Sequence, residues 1–104
     1  MAEPGKRFAS FGDFYPYYLA EHRNPICRRL HFFGTSLVLA AIAVIAWTGG
    51  WASLIAVPVL GYGPAWVGHF FFEHNRPATF THPVYSLMGD FVMYWQMLTG
   101  KLAF

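Results

Sequence analysis

A chain of 104 residues forms one compact unit and is too short for two ordinary globular domains. Hydrophobic residues make up 56% of it and charged residues 12%, against roughly 25% charged in a soluble domain, so water is not its only solvent. A formal charge of +2 without a long basic run excludes a nucleic-acid partner, and a single cysteine, Cys27, excludes a disulfide framework.

The first thirty residues carry Arg, Asp and Glu and lack the apolar core of a signal peptide, so the mature chain is expected to begin near Met1. Phe8, Phe11, Phe14, Tyr15 and Tyr18 recur at helical spacing and predict an amphipathic interfacial helix over residues 8–24. It should end where Asn24 precedes Pro25. Residues 31–47 hold no charge and predict a first membrane helix, closed by the turn Thr48-Gly49-Gly50. Residues 51–72 predict a second, kinked at Pro58 and between Gly61 and Pro64. A third stretch, residues 83–98, is shorter and contains Asp90 and Gln96. It either spans at a tilt or lies against its neighbours. The expected fold is all-α, one small integral membrane bundle with an interfacial helix and about three membrane-embedded helices.

Lys6, Arg7, Arg23, Arg28, Arg29 and Arg76 fall on one side of this hairpin, and Lys101 alone on the other. By the positive-inside rule the cation-rich side is cytoplasmic. The same side collects the five histidines, because His22 and His31 flank the start of the first span, His69 and His74 close the second, and His82 opens the third. Glu21-His22-Arg23-Asn24-Pro25 is echoed by Glu73-His74-Asn75-Arg76-Pro77, a match short enough for chance to produce.

His69 and Glu73 are four apart on a predicted helix and share a face, where they can share a metal ion. The Asn-Pro break lets the rings of His22 and His31 converge from separate segments. A few imidazoles with a carboxylate and open positions is the donor set of non-haem Fe(II) oxygenases, and zinc accepts the same atoms. Any one of these histidines alone reads as an interfacial anchor; clustering argues for a metal. Asp90 is an ionisable group in an apolar segment and hence a functional candidate, with a structural pair to Arg76 the competing account. Arg28, Arg29 and Arg76 can bind a carboxylate or simply enforce topology. Aromatics such as Phe70 to Phe72 and Tyr15 to Tyr18 suit packing or an interface belt, and an acyl chain could run along them toward the bilayer.

His22-x-Asn24-Pro25 with His31, then Gly68-His69-x-x-x-Glu73-x-x-Arg76-Pro77-Ala78, then Ser86-Leu87-x-Gly89-Asp90 resembles the yeast-type 2-hydroxy fatty acid dioxygenases. The likeness runs from Phe11 to about Leu98. It implies an Fe(2+)-dependent alpha-oxidation in which a 2-hydroxy fatty acid and O2 give the acid one carbon shorter and CO2, without 2-oxoglutarate. It also implies His22, His31 and His69 as metal ligands. Glu73 and Asp90 are the expected catalytic or ligand-supporting carboxylates, His74 and His82 lesser metal candidates, and Arg28, Arg76 and Asn24 substrate-binding candidates. The location expected is a bacterial inner membrane, or the endoplasmic reticulum in a eukaryote, with an oligomer compatible with either. A membrane di-iron hydroxylase needs more histidines than five. A small non-enzymatic membrane protein, binding haem or aiding assembly, is the alternative.

Overall fold

A computed structural model describes residues 7–104; Met1 and Lys6, invoked above, lie outside the described residues. Four α-helices and three short helical segments make up its regular structure, and no strand occurs among the described residues.

Helix α1 spans Phe11–Ala20, where Ser10 accepts the Asp13 amide at 3.2 Å and closes the first turn. Helix α2 spans Pro25–Thr48 and starts earlier than residue 31. Arg28 and Arg29 interrupt the apolar run and hide its first turn from hydropathy. The local chemistry is nonetheless that of a helix start: Asn24 Oδ1 accepts the Ile26 amide at 2.8 Å and Pro25 occupies the first position. Gly49, at φ 75°, ends the helix in the left-handed conformation glycine permits.

The chain returns through a 3-10 segment Trp51–Ala56, helix α3 Val57–Val67 and a π-helical segment Gly68–Glu73. Both arms of this hairpin are long and apolar enough to cross a membrane. Only 22% and 17% of their most apolar windows are buried within the protein, so Val44, Trp47, Ile55 and Val59 face outward. An apolar surface of that extent calls for lipid or another apolar partner. The arms touch closely where a Cβ added to Gly34 would sit 2.8 Å from the Gly61 carbonyl oxygen. Small residues at such crossings let backbones pack directly.

Helix α4, Pro83–Leu98, is shorter than either arm and packs against α1 and α2. Tyr85 packs on Phe11 and Phe14, Asp90 meets Tyr18, and Tyr94 stacks on Phe32. The tail beyond it reaches the start of α2, where Arg28 Nη2 donates to the Ala103 carbonyl and Arg29 Nε to that of Phe104. Both ends of α4 therefore lie at the histidine end of the hairpin. Lys101, assigned above to the opposite side, precedes the tail that Arg28 and Arg29 hold and so lies at their end of the hairpin. Hydropathy could not distinguish a crossing from a helix laid across the base.

The aromatic stripe of α1 packs inward. Phe14 and Tyr18 are fully buried with Met93 and Met97 of α4. The stripe faces protein, and α1 with α4 forms the base on which the two arms stand.

Candidate metal centre

Three histidines reach one point from three elements. His22 follows α1, His31 lies on the second turn of α2, and His69 is the second residue of the π-helical segment. All three are buried. His22 Nε2 lies 3.1 Å from His31 Nε2 and 3.0 Å from His69 Nε2. One ring nitrogen from each residue falls within 4.8 Å of those of the other two.

The other ring nitrogens explain why these three point inward. His22 Nδ1 meets the Tyr18 carbonyl at 2.6 Å, His31 Nδ1 the Cys27 carbonyl at 2.8 Å, and His69 Nδ1 the Asn75 Oδ1 at 2.7 Å. Each partner is an acceptor, so each Nδ1 carries the proton and each Nε2 presents a lone pair. Three lone pairs facing one another repel unless a cation lies between them. With metal–nitrogen bonds of about 2.1 Å, neighbouring ligands at right angles on one ion come about 3 Å apart, the separation His22 shows to each of the other two. Two axial histidines on opposite faces of a haem would stand about 4 Å apart, which this spacing does not accommodate. The residues present fit a non-haem metal ion.

Burial pushes the His22 imidazole well below its usual range, and the neighbouring His31 and His69 lower it further. The ring stays neutral, as a ligand must. Tyr18 stacks on it with ring centroids 4.0 Å apart and donates its hydroxyl to Asp90 Oδ1 at 2.5 Å. Asp90 is lifted to about 7 by burial, against which the Tyr18 hydrogen bond acts. Its partner is thus a tyrosine and not Arg76.

Glu73 lies outside the group of three histidines. Its Oε2 accepts the Asn24 backbone amide at 2.6 Å, tying the end of the second arm to the start of the first. The segment winds as a π-helix, so the four-residue spacing that pairs side chains on an α-helix does not carry over. Asn24 donates its side-chain amide to the Phe72 carbonyl while capping α2. Arg28 Nη1 donates to the His22 and Arg23 carbonyls at 3.2 and 2.9 Å, bracing the His22 loop. Arg76 is exposed and makes no side-chain bond among the described residues. His74 is exposed in the left-handed region, and His82 packs against Phe8, Phe14 and Tyr17; neither joins the three.

Sequence reasoning missed Tyr18, Cys27 and Asn75. The first two lie four residues before the histidines they hold, a signal helical spacing offered. Asn75 lies beyond the helix end and gave none. At Gly68 a Cβ would lie 3.0 Å from the Cys27 Cα, so its absence lets His69 approach α2.

The family described as 2-hydroxy-palmitic acid dioxygenase Mpo1-like matches residues 8–102. No curated protein and no solved structure shows a significant similarity to the chain.

Proposed function

Because the chain belongs to the 2-hydroxy-palmitic acid dioxygenase Mpo1-like family, we propose that it is a membrane-bound, Fe(II)-dependent dioxygenase of 2-hydroxy fatty acids. The observation that carries this reading is the convergence of three Nε2 lone pairs, each imidazole fixed by an acceptor on its Nδ1. The reaction converts a 2-hydroxy acid and O2 into the acid one carbon shorter, CO2 and water. Every electron taken up by O2 comes from the substrate, so neither 2-oxoglutarate nor another reductant enters the balance.

His22, His31 and His69 hold the iron. Iron bound there supplies the site for O2 and the electron transfer that couples O2 to the substrate. Asp90 lines a cavity together with His31, and its carboxyl takes the proton of the substrate 2-hydroxyl. Tyr18 keeps Asp90 and the His22 ring in register. Arg76, one residue from the asparagine that orients His69, receives the substrate carboxylate, while Arg28 and Asn24 hold the loop from which His22 projects. Glu73 acts as a brace between the two arms, and His74 and His82 stay outside the reaction. The histidine end faces the cytoplasm, since Arg23, Arg28, Arg29, Arg76 and Lys101 all cluster there.

Purified protein is given Fe(II), O2 and matched C16 acids without 2-oxoglutarate. The 2-hydroxy acid should yield the shortened acid and CO2, and the unsubstituted acid should not. Equal turnover of both would remove the role of the 2-hydroxyl, and dependence on 2-oxoglutarate would place the protein in another class of oxygenase.

A further inference from the structure

We propose that the cavity between α2, α3 and α4 receives the acyl chain of the substrate, tail toward the bilayer. The inference rests on the dioxygenase reading and adds where the chain lies and which residues limit it. The cavity holds about 220 Å³, and His31 with Asp90 forms part of its wall, so it adjoins the metal centre directly. Away from them the wall is apolar, with Val38 on α2, Val57 and Pro58 on α3, and Leu87 and Phe91 on α4.

Its course follows from the antiparallel arms. His31 and Ala65 stand at the metal end, Val38 and Val57 at the other, seven and eight residues away. At 1.5 Å per residue that is about 10–12 Å, enough for roughly half of a C16 chain. The remainder leaves past Pro58, a cavity-lining residue at the far end that is itself exposed. The first carbons are thus enclosed and the last lie in lipid. Gly61 also lines the cavity, and its missing Cβ lets Val38 approach it closely, where a Cβ would meet Val38 Cγ2 at 3.0 Å. A void among packed helices forfeits contacts along its whole wall, and an acyl chain restores them. The aromatic alternatives are worse placed: Phe71 points outward, and Tyr18 is fully buried against α4.

The test is a 2-hydroxypalmitic acid bearing a diazirine at about its eighth carbon. It is photolysed with the full-length protein in lipid nanodiscs, with and without excess 2-hydroxypalmitate. Competable labels should map to residues 35–38 and 57–61. Labels confined to residues 70–72 or to α1 would overturn the assignment. Val57→Trp, which fills the deep end, should lower that labelling about tenfold or more, as displacing a few methylenes predicts. Ile55→Trp, the same bulk on a lipid-facing residue, should not. Equal labelling of wild type and Val57→Trp would also overturn it, and the wild-type map decides should that variant misfold. Because labelling needs no turnover, a protein that labels in the cavity but makes no shortened acid would refute the dioxygenase reading and leave the acyl passage standing.

Discussion

Residues 21–25 and 73–77 share a glutamate, a histidine, an asparagine, an arginine and a proline, and they are put to different uses. His22 is buried with its Nε2 facing two other imidazoles. His74, at the matching place, takes φ 58° and points to solvent, and its segment supplies Asn75 to hold His69. The two segments also brace each other: Asn24 donates to Glu73 and to the Phe72 carbonyl, and Asn75 Nδ2 donates to the Glu21 carbonyl. Similar residues thus make one ligand-bearing segment and one supporting segment. What separates them is the element before each. An α-helix sends His22 inward one turn after Tyr18, whereas a π-helical segment spends the inward position on His69 and leaves His74 beyond the end.

The comparison can be broken most directly at the two histidines. His22→Ala should remove bound iron and turnover by at least 100-fold, because changes in mere supporting partners already cost about 10-fold to 100-fold. Full iron in that variant would return His22 to a packing role. Asp90→Asn comes next: iron should stay bound while turnover drops by about 100-fold to 10,000-fold, the span of a positioned acid or base. An unchanged rate would reduce Asp90 to a partner of Tyr18. Asn75→Ala should weaken iron binding by about 10-fold to 100-fold, with Asn75→Asp restoring part of it; equal affinities across the three proteins would mean that the His69 ring needs no acceptor. The smallest change is expected at His74→Gly. Glycine meets no steric cost at positive φ, so iron and turnover should persist, and a loss of either would give His74 the function denied it here.

Acid should act on the same difference. His22 titrates below its free value of about 6.5, so an unfolded chain binds the extra proton. Stability from this group is complete above about pH 6.5 and declines as pH falls toward the lower folded value. Metal loss follows the same direction, since only neutral imidazole is a ligand. Chelator-accessible iron measured from pH 8 down to 5 should rise, and a flat profile would contradict a histidine-held ion.

The hairpin and the histidine end were legible because length, charge and a Gly-Gly turn act locally. So was the pairing of His22 with His31 across Asn24-Pro25, since the capping asparagine and the proline force a change of direction there. The course of α4 was not: a largely apolar sixteen-residue segment containing Asp90 and Gln96 satisfies a tilted span and a base helix alike, and its contacts with α1 and those of Tyr94 and Phe104 with Phe32 decide. The separation of Glu73 from the metal centre was hidden as well, because π-helical winding leaves no clear mark in composition. Asn75 was invisible for the converse reason, its hydrogen bond to His69 being made from a loop.

On the proposed reading three neutral imidazoles hold one non-haem iron. Elemental analysis with an absorption spectrum of the protein purified after expression in iron-supplemented medium tests it most directly. The expected result is about one iron per chain without a Soret band, falling to background when His22, His31 or His69 is replaced by alanine. A haem band, or a metal-free protein that turns over 2-hydroxypalmitate at the wild-type rate, would contradict it.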